Sequence, residues 1–196
     1  MRNDIVNFSC LKFFDITTHF QKGTSPIEII WEFPHVNWVK ANIDGVARGC
    51  LGFAGCAGIF RGSRGEYISS FSSFLGVQKS LYAEVMGVIL AIELAWSKCF
   101  KRICLECDSS LLCQAFSLFN IIPWSLRERW RKCIKICKEI EFKVSHIFRE
   151  RNHCVDKLAS LGLKNELDFK WYDVLPVVIE LDVLHNRYQL PIFCFV

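Results

Sequence analysis

Residues 38–58, W-V-K-A-N-I-D-G-V-A-R-G-C-L-G-F-A-G-C-A-G, read as one strand that ends in an acid and returns as a second through a glycine-rich turn. Val39, Ala41 and Ile43 alternate with Lys40, Asn42 and Asp44. That is the period of a strand with one apolar face. Asp44 and Gly45 then supply turn chemistry. Glycines at 45, 49, 52, 55, 58, 62 and 65 separate three strand-like runs, roughly 37–46, 53–61 and 66–75. R-G-S-R-G at 61–65 is a hairpin turn between the second and third runs. The first third of the chain therefore reads as a three-stranded antiparallel meander.

Downstream the period changes. Leu81, Val85, Val88, Ile92 and Ala95 recur at helical spacing, which predicts a helix over 80–98. A short strand follows at 102–107. Asp108 or Ser109 suits the N-cap of a helix through about Phe119. Pro123 opens a third helix to about Cys137. I-E-F-K-V-S-H-I-F-R, from 140 to 149, returns to alternation. Asn152 caps a last helix to about Leu163, with Gly162 as its stop. The order βββ-α-β-α-α-β-α predicts an α/β fold: a five-stranded mixed sheet, its first three strands antiparallel, with helices on both faces. The expected organisation is an N-terminal arm at 1–35, a domain at 36–165 and a C-terminal arm at 166–196.

Composition narrows the class. Of 196 residues, 52% are hydrophobic and 14% aromatic, enough for a full core and unlike a disordered chain. A net charge of +4 permits a polyanionic partner without demanding one. Eleven cysteines follow no disulfide framework, and several, such as Cys56, Cys104 and Cys107, lie inside apolar runs. Asp4, Lys12 and Asp15 interrupt the N-terminal apolar stretch, so a signal peptide is not read there. Reduced thiols in an intracellular compartment, nuclear or cytoplasmic, are expected. Apolar runs are broken by Glu93 and by Glu180, Asp182 and His185, so no membrane span is expected.

Four acids stand at the seams of these elements: Asp44, Glu84, Asp108 and Asp156. Each has an ordinary reading when taken alone. Asp44 is a strand-end acid before a Gly turn, and Asp108 is an N-cap. Glu84 and Asp156 are first-turn acids favoured by the helix dipole. Buried together, they call for cations. Hard oxygen ligands suit Mg²⁺, and two such ions ~4 Å apart suit phosphodiester hydrolysis.

The order of elements and the neighbours of these acids resemble the ribonuclease H-like fold. N-I-D-G-V-A-R-G-C-L-G-F-A-G-C-A-G is similar to that family's opening. L-Y-A-E-V-M-G-V-I-L-A-I-E-L-A is similar to its first helix, L-E-C-D-S to its fourth strand, and H-I-F-R-E-R-N-H-C-V-D-K-L-A to its closing His…Asn…Asp signature. More narrowly, W-V-K-A-N-I-D-G, P-W-S-L-R-E-R-W and V-S-H-I-F-R-E resemble plant reverse-transcriptase-like ribonuclease H domains derived from non-LTR retroelements. Two departures stand out: Cys50 and Leu51 where the family often has Asn-Pro, and Arg151 where Gly is usual.

The resemblance implies metal-dependent endonucleolytic cleavage of RNA in an RNA–DNA hybrid. Two Mg²⁺ ions, with Mn²⁺ as the substitute, would be held by Asp44, Glu84, Asp108 and Asp156. His146, ten residues before Asp156, would assist proton transfer or product release; as a residue it reads equally as a satisfied strand histidine. Asn42, Gly45, Ser109 and Asn152 are the expected substrate contacts beside the acids. Arg131 and Lys135, on a helix face with Arg127 and Lys138, would meet the backbone of the hybrid or of a double-stranded RNA. A monomer acting away from membranes is expected. A nucleic-acid-binding module without turnover is the competing expectation.

Overall fold

The computed structural model describes residues 26–166 and 168–195. Ile29–Ile192 forms one compact unit. In chain order the strands are β1 (Pro26–Ile29), β2 (Val39–Ala47), β3 (Gly52–Arg61), β4 (Tyr67–Gln78), β5 (Arg102–Cys107), β6 (Glu141–His146), β7 (Lys170–Tyr172) and β8 (Ile192–Phe195). The helices are α1 (Ser80–Ser97), α2 (Ser110–Ala115), α3 (Arg127–Glu139), α4 (His153–Lys164) and α5 (Val177–Arg187). β1 and β8 pair as a separate two-stranded sheet.

The main sheet has the order β6-β5-β2-β3-β4-β7. β2, β3 and β4 are antiparallel neighbours, while β5 and β6 add in parallel beside β2. This is the mixed α/β sheet the pattern predicts, with six strands in place of five. The sixth, β7, is antiparallel to the edge of β4 and pairs through Ser70–Tyr172, Phe71–Trp171 and Ser72–Lys170. Three residues are too few to show a period, so this strand has no signal in the sequence. It lies in the stretch expected as a C-terminal arm, as does α5, whose Ile179 and Val183 are buried. Of the expected N-terminal arm, residues 1–25 lie outside the described residues.

Strand alternation sorts the core into two layers. Ala41 and Ile43 of β2 face Val85, Val88, Ile89 and Ile92 of α1. Ala57 and Ile59 of β3 face Cys154, Val155, Leu158 and Ala159 of α4 together with α5. Each fully buried aliphatic side chain of this kind contributes roughly 1.5–3 kcal/mol. α1 is 18 residues long and apolar enough, by length and composition, to match a membrane span, contrary to the expectation. Nine of its residues are buried, which is the pattern of a core helix. Glu93, the acid that interrupts this apolar run, is only partly exposed and pairs with Arg129 of α3 at 2.6 Å.

Two helix ends differ from their expected places. α2 stops at Ala115, and a short 3-10 turn at Phe119–Ile121 follows. α4 runs past Gly162 to Lys164. A Cβ on Gly162 would stand 3.1 Å from the Ser72 Cβ. That glycine permits close packing of the helix on β4 and does not end it.

Candidate functional site

The acids assemble because β2 and β5 run parallel, with Asn42 opposite Glu106. Two residues further, beyond the last registered pair, Asp44 feels the charge of Asp108. Gly45 brings in the third acid: a Cβ there would collide with the backbone of Ala83 and Glu84. Only glycine lets the β2 end lie against α1 at Ala83 and Glu84; Glu84 stands just past the first turn, not in it as expected. The fourth comes from α4, which is tied to β2 where Asn152 Nδ2 donates to the Ile43 carbonyl at 3.0 Å. That bond lies one residue before Asp44 and four before Asp156.

Electrostatics bind the four into one field. The Asp44 carboxyl is pushed up to about 8, first by burial, then by the negative charges of Asp108, Asp156 and Glu84. The Gly45 amide, donating to Asp44 Oδ1 at 2.8 Å, pulls the other way. Burial also raises Glu84, as does the charge of Asp108; hydrogen bonds from Ser109 and Ser80 and the charge of Arg149 oppose it. Such raised carboxyls mark a cluster with more negative charge than its surroundings neutralise. The donor set is all carboxylate oxygen, which suits a hard divalent cation. Yet among the described residues no three His, Cys, Asp or Glu side chains stand close enough together to grip a metal ion. The carboxylates share a field without forming a closed cage, as mutually repelling anions do.

The other expected residues divide. His146 is exposed at the end of β6, its Nε2 3.1 Å from the Asp108 carbonyl oxygen. Ser109 caps α2, accepting from the Leu112 amide at 3.4 Å, and also holds Glu84. It supports the cluster from within. Asn42, expected at the substrate, lies buried beneath the acids: it is 1% exposed, donates to Glu106 Oε2 at 3.0 Å and accepts from Arg61 Nη2 at 2.6 Å. The alternation that gives Asn42 the parity of Asp44 does not reveal that α4 and α5 cover that face two residues deeper. Gly45 offers no free amide, since Asp44 takes it. Asn152 is buried and makes no side-chain cap; its amide holds β2. Arg131 and Lys135 are exposed on α3, Arg131 bonding Glu128 at 3.1 Å.

Sequence reasoning missed the layer beneath the acids. Lys40 Nζ pairs with Glu106 Oε1 at 2.6 Å and donates to the Glu32 carbonyl. Arg61 stacks on Trp31, 3.7 Å from its ring centre. Lys40, on the polar parity of β2 with Asn42 and Asp44, was the one available signal. Arg149, near enough to act on Glu84, was also missed; it stood only at the end of the last alternating run and within the stretches that carry the resemblance.

Comparison with known proteins follows this geometry. A family described as reverse transcriptase-like matches residues 42–162. A protein of Arabidopsis thaliana that carries a ribonuclease H name is 30% identical over 153 residues, 74% of this chain and 24% of that protein. The chain thus spans about a quarter of the length of that curated relative. RNase H1 from the halophilic archaeon Halobacterium salinarum NRC-1 superposes with a TM-score of 0.59 at 24% identity, over 65% of this chain and 98% of its own. LC11-RNase H1, solved in complex with an RNA/DNA hybrid, gives 0.57 at 23% identity, over 65% and 97%. At those identities the likeness is one of fold.

Proposed function

The chain belongs to the reverse transcriptase-like family and contains a ribonuclease H-like domain; from that premise we propose that it hydrolyses the RNA strand of RNA–DNA hybrids. The observation that carries the reading is Asp44, held near neutral pH for its proton by burial amid three other acids. Such an arrangement costs stability in the metal-free chain, and divalent cations would relieve it.

Two Mg²⁺ ions, or Mn²⁺ in their place, would be held by Asp44, Glu84, Asp108 and Asp156, supplying an activated water and charge stabilisation at the leaving 3′ oxygen. The chain's own groups prepare that site. The Gly45 amide fixes Asp44 Oδ1, and Ser80 and Ser109 orient the Glu84 carboxylate. With Nε2 donating to the Asp108 carbonyl, His146 keeps Nδ1 to take up or release a proton. RNA would be distinguished by its 2′-hydroxyls and by the shape of the hybrid, and the exposed cations Arg131 and Lys135 would meet backbone phosphates. The reading carries with it a plant retroelement origin, an intracellular setting, and action as a monomer away from membranes.

A second reading, a nucleic-acid-binding module without turnover, is favoured by the open spacing of the potential ligands. One experiment separates the two: cleavage of an end-labelled RNA–DNA hybrid by the purified chain with Mg²⁺, with Mn²⁺ and with chelator. Metal-dependent cutting that disappears in Asp44→Asn supports the enzyme. Hybrid binding with no cutting in either metal supports the module.

A further inference from the structure

Arg151 stands where the resemblance leads one to expect glycine, and its side chain turns away from the acids. It is 2% exposed. Its Nη1 donates to the Leu190 carbonyl at 3.0 Å, while Nε and Nη2 are buried without partners. No carboxylate pairs with it among the described residues. A cation so placed is costly unless something anionic satisfies it. Burial accordingly pulls its pKa down.

Beside Arg151 is a cavity of about 180 Å³ between the start of α4 and the face of α5. His153 and Cys154 line it from the first turn of α4, where backbone N–H groups lack intrahelical acceptors and the dipole is positive. No side chain caps that end. His185 lines the opposite wall, and its Nδ1 is also buried without a partner. Asn186 donates to Cys154 Sγ at 3.5 Å and closes the floor. Asp182 is the one acid in the lining, and Lys157 neutralises it with contacts of 2.7 and 3.0 Å. The cavity is well below the roughly 300 Å³ at which pockets for larger ligands begin.

We propose that this cavity is an anion site for a single phosphate group, held by Arg151, His185 and the first amides of α4. It is separate from the acid cluster and stands or falls independently of hybrid cleavage. The phosphate comes either as the free ion or as the terminal phosphate of an oligonucleotide.

The test is thermal unfolding of the full chain, without divalent metal, in potassium phosphate against potassium chloride at equal ionic strength. A rise of roughly 3–6 °C is expected at ten times the dissociation constant, growing with the logarithm of phosphate concentration beyond it. That logarithmic dependence, already steep near the dissociation constant, distinguishes it from the roughly linear effect of an excluded anion. Arg151→Met should abolish the rise. Should that variant not fold, His185→Ala and Arg151→Lys, which retains charge without the planar fork, should each weaken phosphate about tenfold or more in calorimetric titration. A 5′-phosphorylated dinucleotide, compared with its 5′-hydroxyl form, identifies the source: competition by the former alone assigns a nucleic-acid end, and no competition assigns the free ion. A wild-type response equal to that in chloride overturns the site. So does a rise that survives undiminished in every folded variant.

Discussion

Two polar clusters share one face of the β2–β5 pair, two residues apart, and they are treated oppositely. In the deeper one, Glu106 meets Lys40 and Asn42, Asn42 meets Arg61, and Arg61 lies on Trp31. Its acid has a cation at 2.6 Å. In the upper one, Asp44, Glu84, Asp108 and Asp156 face one another with only serine hydroxyls, one backbone amide and the distant charge of Arg149 for relief. The fold can neutralise buried acids on these strands, and does so where strand registration alone is needed. Leaving the upper set uncompensated destabilises the molecule, a cost that the proposed divalent cations would offset. The difference locates function better than the mere presence of acids.

The sharpest way to break this contrast is Asp44→Asn. Cleavage of a labelled hybrid should fall to background, because the most buried acid of the cluster loses its charge. The metal-free variant should be more stable than wild type by roughly 1–3 kcal/mol, since it no longer has to take up a proton, or bury a charge among like charges, on folding. A destabilised variant would mean that the upper cluster is structural after all.

Glu106→Ala should do the reverse. It leaves Lys40 buried with the Glu32 carbonyl and the Trp31 ring but no counter-ion, and removing one member of a buried ion pair costs about 3–5 kcal/mol. Urea denaturation of the two variants side by side reads the contrast as opposite signs. Shifts of the same sign would dissolve the distinction between the clusters.

The sequence disclosed the upper cluster more readily than the lower. Asp44 precedes a glycine whose missing Cβ admits the α1 backbone, and that Asp-Gly pair is visible in the chain. Strand parity placed Asn42 correctly on the Asp44 face but could not say how deep it lies. The partnership of Lys40 with Glu106 spans β2 and β5 and exists only after they pair. β7 was hidden for another reason: its three residues gain their strand conformation from the edge of β4, not from any period of their own. Arg151 was noticed as a departure, yet its turn away from the acids toward Leu190 depends on α5 and the chain after it.

The pH dependence of stability sharpens the comparison further. Asp44 titrates near 8 in the folded chain against an ordinary 3.8. Between those values the folded state holds a proton that the unfolded state has lost. Stability must therefore fall as pH rises from about 4 to about 8 and return as pH is lowered. The excess slope of wild type over Asp44→Asn should amount to about 1–3 kcal/mol across that window, reduced by solvent screening at a site that is not fully closed. Thermal melts of both proteins at pH 5, 6, 7 and 8 in chelator measure it. Saturating Mg²⁺ should flatten the wild-type curve, because bound cations favour the ionised carboxyl. Parallel curves for the two proteins would show that Asp44 carries no special charge burden.

The smallest expected effect lies on α3, where charges are solvated and neither cluster's logic applies. Arg131 is exposed and pairs with Glu128 one helical turn away, and its guanidinium lies 5.0 Å from the Phe119 ring centre. Surface pairs of this kind contribute about 0–1 kcal/mol, so a phosphate can compete for the arginine. Lys135, one turn further on, is exposed as well. Trp130 and Cys133 anchor the opposite face in the core, so changes on the outer face leave the helix docked. Replacing Arg131 and Lys135 together with glutamine should weaken hybrid binding and reduce the slope of log K against log salt by about 1–2, one for each phosphate no longer neutralised. Turnover at saturating hybrid should be nearly unchanged, because the acids are untouched. Fluorescence anisotropy with a labelled hybrid at several salt concentrations gives the slope. An unchanged slope would make this face a solubilising surface and move the path of the nucleic acid elsewhere on the domain.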